Sequence, residues 1–186
     1  MDADTTPRAP RLREDDLRLE PLSLDHLDGI MTWVNDPEVT FYFAELGREI
    51  TREEEAAYVE KLIASKTDRV FSIFGPDGYL GQIGLAKIYW PARNGRLGIM
   101  LPRHAQGRGV ASAAGRLLLR TAFSDLGMHK VWAIIRSDNP RGLYLWTQLG
   151  FRCEGVLRDE YFVQDRFYDM VRLACTEADF LARIQP

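Results

Sequence analysis

The stretch "RHAQGRGVASAAGRLLLR", Arg103 to Arg120, sets two glycines and a run of small residues directly before a helical pattern. The first turn of a helix presents backbone N–H groups that lack an intrahelical acceptor and carry partial positive charge. Gly107 and Gly109 have no side chain to hold an approaching anion away, and Arg103 and Arg108 add formal charge. Strand, glycine turn and helix start together make a cradle for phosphate. Taken alone, the loop reads equally well as an ordinary tight turn. It fits neither nucleotide motif: GxxxxGK(S/T) is absent and GxGxxG is incomplete.

The elements that must position this loop can be read from periodicity. "LRLEPL" alternates as a first strand, and Ser23 caps a helix whose Leu27, Ile30, Met31 and Val34 form one stripe. "NDP" at Asn35 to Pro37 stops it. Thr51 and Glu54 make a capping-box pattern, with Tyr58, Val59, Leu62 and Ile63 expected on the buried face of the next helix. The acidic run Glu53 to Glu55 reads as solvent surface favoured by the helix dipole. "RVFSIF" and "YLGQIGLAKIYW", joined by "GPDG", predict a hairpin, and Gly95 to Leu101 predicts a third antiparallel strand. After the loop, Val110, Ala114, Leu117, Leu118, Thr121 and Ala122 line one side of a helix that ends near Gly127. "HKVWAIIR" predicts a buried strand, "NPRGLYLWTQLG" a short helix, and the stretch from Phe151 to Cys175 a long hairpin turning at Val163 to Arg166. The expectation is an α/β (α+β) domain, a mixed and mostly antiparallel sheet with flanking helices.

Bulk properties narrow the partners. The chain has 186 residues, 46% of them hydrophobic, enough for one domain with a real core. Residues 1–15 read as a disordered tail and residues 16–186 as the single domain. Lacking an export signal or a membrane-span-length apolar run, the protein is expected in the cytoplasm, with no membrane partner. A net charge of −3 gives no broad attraction for nucleic acid. Two cysteines, Cys153 and Cys175, and three scattered histidines suggest no disulfide framework and no metal site; each cysteine is expected to be a small buried hydrophobe.

Several ordered motifs carry a resemblance. "QGRGVA" (Gln106, Gly109, Ala111) resembles the Gln/Arg-x-x-Gly-x-Gly/Ala signature of the GNAT superfamily, the acetyl-coenzyme-A-dependent N-acyltransferases. "GIMLP" resembles that family's fourth strand, and "NPRGLYLWTQLGF" its late motif at Asn139, Gly142 and Leu149 to Phe151. The closing hairpin resembles the branch that contains ribosomal-protein N-terminal and spermidine acetyltransferases, and "WVNDPEV" (Trp33 to Val39) resembles both that branch and amino-sugar acetyltransferases. The resemblance runs over residues 16–176 and implies a GNAT fold of six to seven strands.

The resemblance also implies a site. Gln106 and the loop from Gly107 through Arg108, Gly109 and Val110 to Ala111 would hold the pyrophosphate of acetyl-CoA. The strand edge at Ile99 and Leu101 would pair with the pantetheine amides. Asn139 would contact the cofactor or hold open the gap between the fourth and fifth strands, and Trp146 would lie beside the cofactor. The backbone N–H near Leu101 would meet the developing oxyanion. Ser137 could donate to the thiolate or to Asn139, and Glu38 or Glu160 could take the amine proton, directly or through water. Glu38, Tyr42, Glu45 and Tyr161 would line the acceptor pocket.

Two departures from the family pattern stand out. The tyrosine that serves many members as acid is replaced by Trp146, whose indole N–H has no practical acidity; Tyr144 is on another face of the same helix. An acid common before the glycine of the fourth strand is replaced by Arg96. The implied activity is N-acetylation of a primary amine, a small metabolite such as an amino sugar, polyamine or antibiotic, by a monomer or homodimer. A protein N-terminus as acceptor, or a non-catalytic acyl-CoA-binding module, are the alternatives.

Overall fold

The computed structural model describes residues 10–42 and 48–184. Seven strands form one sheet: β1 (Arg18–Pro21), β2 (Arg69–Gly75), β3 (Gly78–Tyr89), β4 (Asn94–Met100), β5 (Lys130–Arg136), β6 (Arg152–Val163) and β7 (Arg166–Thr176). Their spatial order is β1-β2-β3-β4-β5-β7-β6. Every neighbouring pair is antiparallel except β4 and β5. The helices are α1 (Leu27–Met31), α2 (Pro37–Thr40), α3 (Arg52–Ile63), α4 (Val110–Arg120), α5 (Pro140–Gln148) and α6 (Glu177–Ile184).

The alternation of side chains along the strands divides the core between two faces. On one face Ile83, Leu85, Leu97, Val131 and Leu173 pack against Ala113, Ala114, Leu118 and Leu119 of α4, with Trp146 of α5 in the same cluster. On the other, Leu27, Ile30, Trp33 and Val34 join Val59 of α3, with Val70 and Met100 beneath them. The capping box of α3 is present, Thr51 Oγ1 accepting from the Glu54 N–H at 3.3 Å and Glu54 Oε2 from the Thr51 N–H at 3.0 Å.

The structure departs from the sequence reading in five places. Tyr58 and Ile63 are exposed, and Glu55 is buried with Val59, so the inward face of α3 is turned toward Glu55, Val59 and Leu62. Cys153 is exposed, and only Cys175 is a buried hydrophobe. The "NDP" stop of the first helix also starts a new turn, α2, because Asp36 caps it and Pro37 fits its first position. A C-terminal helix, α6, follows the last hairpin and packs Phe180 on Phe123. Residues 10–15, assigned to the tail, lie against the domain: the Leu12 N–H donates to the Arg108 carbonyl at 2.7 Å, and Glu14 pairs with Arg116 and Arg120.

Candidate active site

The parallel pair β4 and β5 is short. Only Asn94, Gly95 and Arg96 pair, with Lys130, Val131 and Trp132. Beyond Arg96, β4 goes on to Met100 on its β3 side alone, and β5 goes on to Arg136 on its β7 side alone. The two strands therefore part in the middle of the sheet. A row of β4 backbone groups faces the gap, the kind of open strand edge that an extended chain of amides can complete. Ile99 and Leu101 lie on this diverging end.

The glycine loop lies just past it. Arg103–Ala105 make one turn of 3₁₀ helix, and α4 begins at Val110 with Gly109 as a left-handed N-cap that offers no side-chain cap. The first N–H groups of an 11-residue helix are thus left without a protein side chain. Gly107 has φ +72° with open space where a Cβ would stand. Gly109 has φ +85°, and a Cβ there would come 3.1 Å from the Leu12 carbonyl, so this glycine also answers a packing demand of the N-terminal segment. Gln106 ties the loop to the strand end by donating Nε2–H to the Leu101 carbonyl at 2.9 Å. Arg108 reaches back to Asp77 in the β2–β3 turn, while its buried Nε has no partner. Val110 is buried, and Ala111 is partly covered. A strand edge of unpaired amides, a bare glycine and an uncapped helix start match what the phosphates and amides of acetyl-CoA require.

A cavity of about 420 Å³ occupies the gap. Arg96, Leu97 and Gly98 of β4 form one wall; Trp132, Ile134, Ile135 and Arg136 of β5 form the other; Asn139, Tyr42, Glu160, Tyr161, Met170 and Lys87 close it. Asn139 is the N-cap of α5, its Oδ1 accepting from the Gly142 N–H at 2.9 Å. This bond fixes where α5 departs from the end of β5. Ser137, between them, is exposed, and its N–H donates to the Asp169 carbonyl at 2.9 Å.

The structure thus brings Asn139, Glu160, Tyr161 and Tyr42 together, and it places Glu38 elsewhere. Glu38 lies 2.8 Å from Arg103 Nη1 and lines a separate pocket with Phe41, Gln106 and Arg141. Arg103 also holds Asp36 through two bonds of 2.7 and 2.9 Å, which keeps the Asp36 carboxyl below its usual range. This clamp joins α2 to the loop, so Glu38 serves an ion pair and is not among the residues lining the gap. Glu45 lies outside the described residues. Trp146 is 2% exposed, wedged against Gly115 of α4 and Phe151, a core position and not a cavity wall. Tyr144 is 68% exposed on the opposite side of α5.

Several lining residues of the gap, Lys87, Trp132 and Met170 among them, escaped the sequence reading, and Arg136 is the most heavily bonded of these. Arg136 is only 3% exposed; its Nε and Nη2 donate to both oxygens of Asp138, and its Nη1 to the Phe41 carbonyl at 3.2 Å. Its guanidinium stacks 3.9 Å from the Tyr168 ring and 5.1 Å from that of Tyr42. It fastens the end of α2 to the end of β5 and so sets the mouth of the cavity. The pattern Arg-Ser-Asp-Asn at a strand end was the only local signal for it.

Residues 16–152 match the family described as acetyltransferase (GNAT) domain. The chain belongs to the GNAT acetyltransferases. Among its relatives is the spermidine N(1)-acetyltransferase of Escherichia coli K12, 25% identical over 166 residues that cover 89% of each chain. The ribosomal-protein-serine acetyltransferase of the same organism is 26% identical over 102 residues, 55% of this chain and 57% of that one. The crystal structure of spermidine N-acetyltransferase from Vibrio cholerae in complex with CoA and spermine superposes with a TM-score of 0.84 at 25% identity, covering 90% of this chain and 99% of that one. The expected GNAT fold, with seven strands, is the one observed. This GNAT protein is an acetyl-CoA-dependent N-acetyltransferase, moving an acetyl group from acetyl-CoA to an amine. Among its described residues no helix is long and apolar enough to cross a membrane, and no cluster of His, Cys, Asp or Glu could hold a metal ion.

Proposed function

We propose that the gap between β4 and β5 is where the thioester and the amine meet, and that the acceptor is the primary amine of a small metabolite. The observation behind this reading is the parting of β4 from β5 after three rungs, immediately before an uncapped helix start. The N–H groups from Gly107 to Ala111 hold the pyrophosphate, and the β4 edge at Ile99 and Leu101 holds the pantetheine amides. Acetyl-CoA supplies an acyl group already activated as a thioester, so much of the rate can come from positioning.

The chain then has two tasks at the gap. It must hold a neutral amine against the acyl carbon, and it must manage two protons as the N–C bond forms and the C–S bond breaks. Glu160 is the carboxylate among the cavity's lining residues, and it takes the amine proton directly or through water. The backbone N–H near Leu101 faces the carbonyl oxygen that gains charge. The departing sulfur takes its proton from solvent or from a donor other than Trp146, whose indole is packed in the core. A polyamine acceptor is a second reading, supported by the spermidine acetyltransferases among the relatives.

The test pairs turnover with a loop substitution. A broad amine panel with acetyl-CoA, followed by thiol release, should give turnover with at least one small amine. Asparagine tolerates the left-handed backbone that Gly107 adopts, so Gly107→Asn adds a side chain with little backbone strain. It should raise KM for acetyl-CoA at least about tenfold, about 1.4 kcal/mol. An unchanged KM in a folded Gly107→Asn protein refutes the placement of the pyrophosphate. Tight acetyl-CoA binding with no turnover across the panel would favour a non-catalytic module.

A further inference from the structure

We propose that the acceptor amine carries an oxyanion, a carboxylate or a phosphate, and that Arg96 and Gln82 receive it in a second cavity beside the gap. The inference rests on the acetyl-transfer reading of the gap and deepens it.

The second cavity, about 220 Å³, lies between α3 and the face of β3 and β4 that α3 covers. It shares Arg96 and Gly98 with the larger one, so the two meet where β4 leaves β5. Gly98 presents no side chain there, and a Cβ at that position would touch nothing within 4 Å. A molecule with its amine in the gap can therefore extend past Gly98 into the smaller space.

The polar side chains lining that space are Tyr58, Asp68, Gln82 and Arg96, and the donors at two of these positions, Gln82 and Arg96, lack partners of their own among the described residues. Gln82 Nε2 lines it, is buried, and has no hydrogen-bond partner. Ser72 Oγ, opposite Gln82 in the β2–β3 ladder, is buried and unpartnered as well. An unmet buried N–H donor is costly, so Gln82 Nε2, which lines the cavity, calls for an acceptor there. Arg96 adds a half-buried guanidinium that is paired with no carboxylate among the described residues. Most other arginines near the site are committed: Arg103 to Asp36 and Glu38, Arg108 to Asp77, Arg136 to Asp138, Arg172 to Glu154. Asp68 also lines the cavity, but its oxygens already accept from Ser65, Thr67 and the Lys87 N–H.

Charge in the larger cavity agrees. Lys87, Arg96 and Arg136 line it against the carboxylate of Glu160, and Asp138 neutralises Arg136. Lys87 and Arg96 remain uncompensated by any ion pair among the described residues, which suits a guanidinium–oxyanion contact and opposes a chain of ammonium groups.

Matched acceptors separate these chemistries. Cadaverine and lysine, putrescine and ornithine, and agmatine and arginine differ by a carboxylate; glucosamine and its 6-phosphate differ by a phosphate. Each would be measured for thiol release with acetyl-CoA and, by calorimetry, for binding to the CoA-bound protein. The acid-bearing member should be favoured at least tenfold in at least one pair, and the carboxylate and phosphate pairs tell which oxyanion the cavity takes. Arg96→Gln should abolish that preference, Arg96→Lys should keep part of it, and Arg96→Glu should turn it toward the unsubstituted amine, each variant checked as folded by circular dichroism. Preference for the plain amine in every pair overturns the proposal. So does a preference for acid that survives Arg96→Gln, or the failure of every acid-bearing member to bind. Loss of all turnover with selective binding of the acid-bearing members retained would instead count against the acetyl-transfer reading alone.

Discussion

Replacing Trp146 with phenylalanine separates a packing role from a chemical one. The indole sits on α5 between Gly115 and Phe151 with 2% of its surface exposed, and a Cβ on Gly115 would come 3.1 Å from its ring. Trp146→Phe removes about three non-hydrogen atoms from this enclosed position. At about 0.8 kcal/mol per buried methylene-sized group, with a cavity penalty added, the loss comes to about 3 kcal/mol. For a domain of this size, about 2–4 °C of Tm goes with each kcal/mol, so Tm should fall by about 6–12 °C. Catalysis should suffer far less. The Asn139–Gly142 bond that sets the start of α5 does not involve the ring, so kcat should drop by less than about tenfold. A general acid would instead cost about 10²- to 10⁴-fold. Melting followed by circular dichroism, with thiol-release kinetics well below Tm, measures both quantities. A thousandfold loss of kcat with Tm moved by less than about 2 °C would show that the indole N–H takes part in the chemistry.

Two further outcomes test the environments of particular groups. Burial on the inner side of α3 raises the Glu55 carboxyl above its usual range. The folded state then holds that proton more tightly than the unfolded chain, so stability is full below the unfolded value of about pH 4 and falls as pH rises through the folded one. Glu55→Gln should therefore raise Tm at pH 8 and change it little near pH 4; an equal shift at both would refute the burial argument. Burial pushes the Cys175 thiol up to about 11, whereas Cys153 is exposed. A thiol reagent at pH 8 should modify one cysteine in the native protein and the second only on unfolding, and equal native rates would contradict the placement of Cys175.

Much of the fold was legible because its signals are local. Thr51 and Glu54 mark a helix start by a reciprocal bond that needs no tertiary context. The turns at Gly75–Gly78 and Val163–Arg166 connect the hairpins where expected, and Gly107 and Gly109 have the positive φ that a glycine turn invites. What was not legible depends on partners far along the chain. Tyr58, Val59, Leu62 and Ile63 form a plausible stripe, yet only the sheet beneath α3 decides that Glu55 points inward and Tyr58 outward. Glu38 is acidic and stands on the expected loop, but it pairs with Arg103, distant in sequence, and is not among the residues lining the gap. Arg136 reads as a strand terminus, and only the arrival of Phe41, Tyr42 and Tyr168 makes it a fastener. Leu12 is polar-flanked and unremarked in sequence, and its bond to the Arg108 carbonyl orders the segment before β1.

The centre of the sheet poses the remaining physical problem. Backbone N–H and C=O groups are nearly always paired when buried, and a seven-stranded sheet that parts in its middle leaves a row unpaired along an open seam where Gly98 is exposed and Ile99, Ile134 and Ile135 are half-buried. Side chains do not repair the gap, because Gly98 offers none at its edge. Nor does the chain simply lack strand-forming residues there: Leu97, Ile99, Ile134 and Ile135 would all suit a ladder. A fold that can close this seam and leaves it open gains by receiving an extended ligand with amides of its own, so that the row unpaired in the free protein is completed on binding. Strand edges, however, recognise amides without regard to charge. On the reading proposed above, discrimination among acceptors falls to the few side chains that reach the open end of the seam, and among them Arg96 alone stands in both cavities with no ion-pair partner among the described residues.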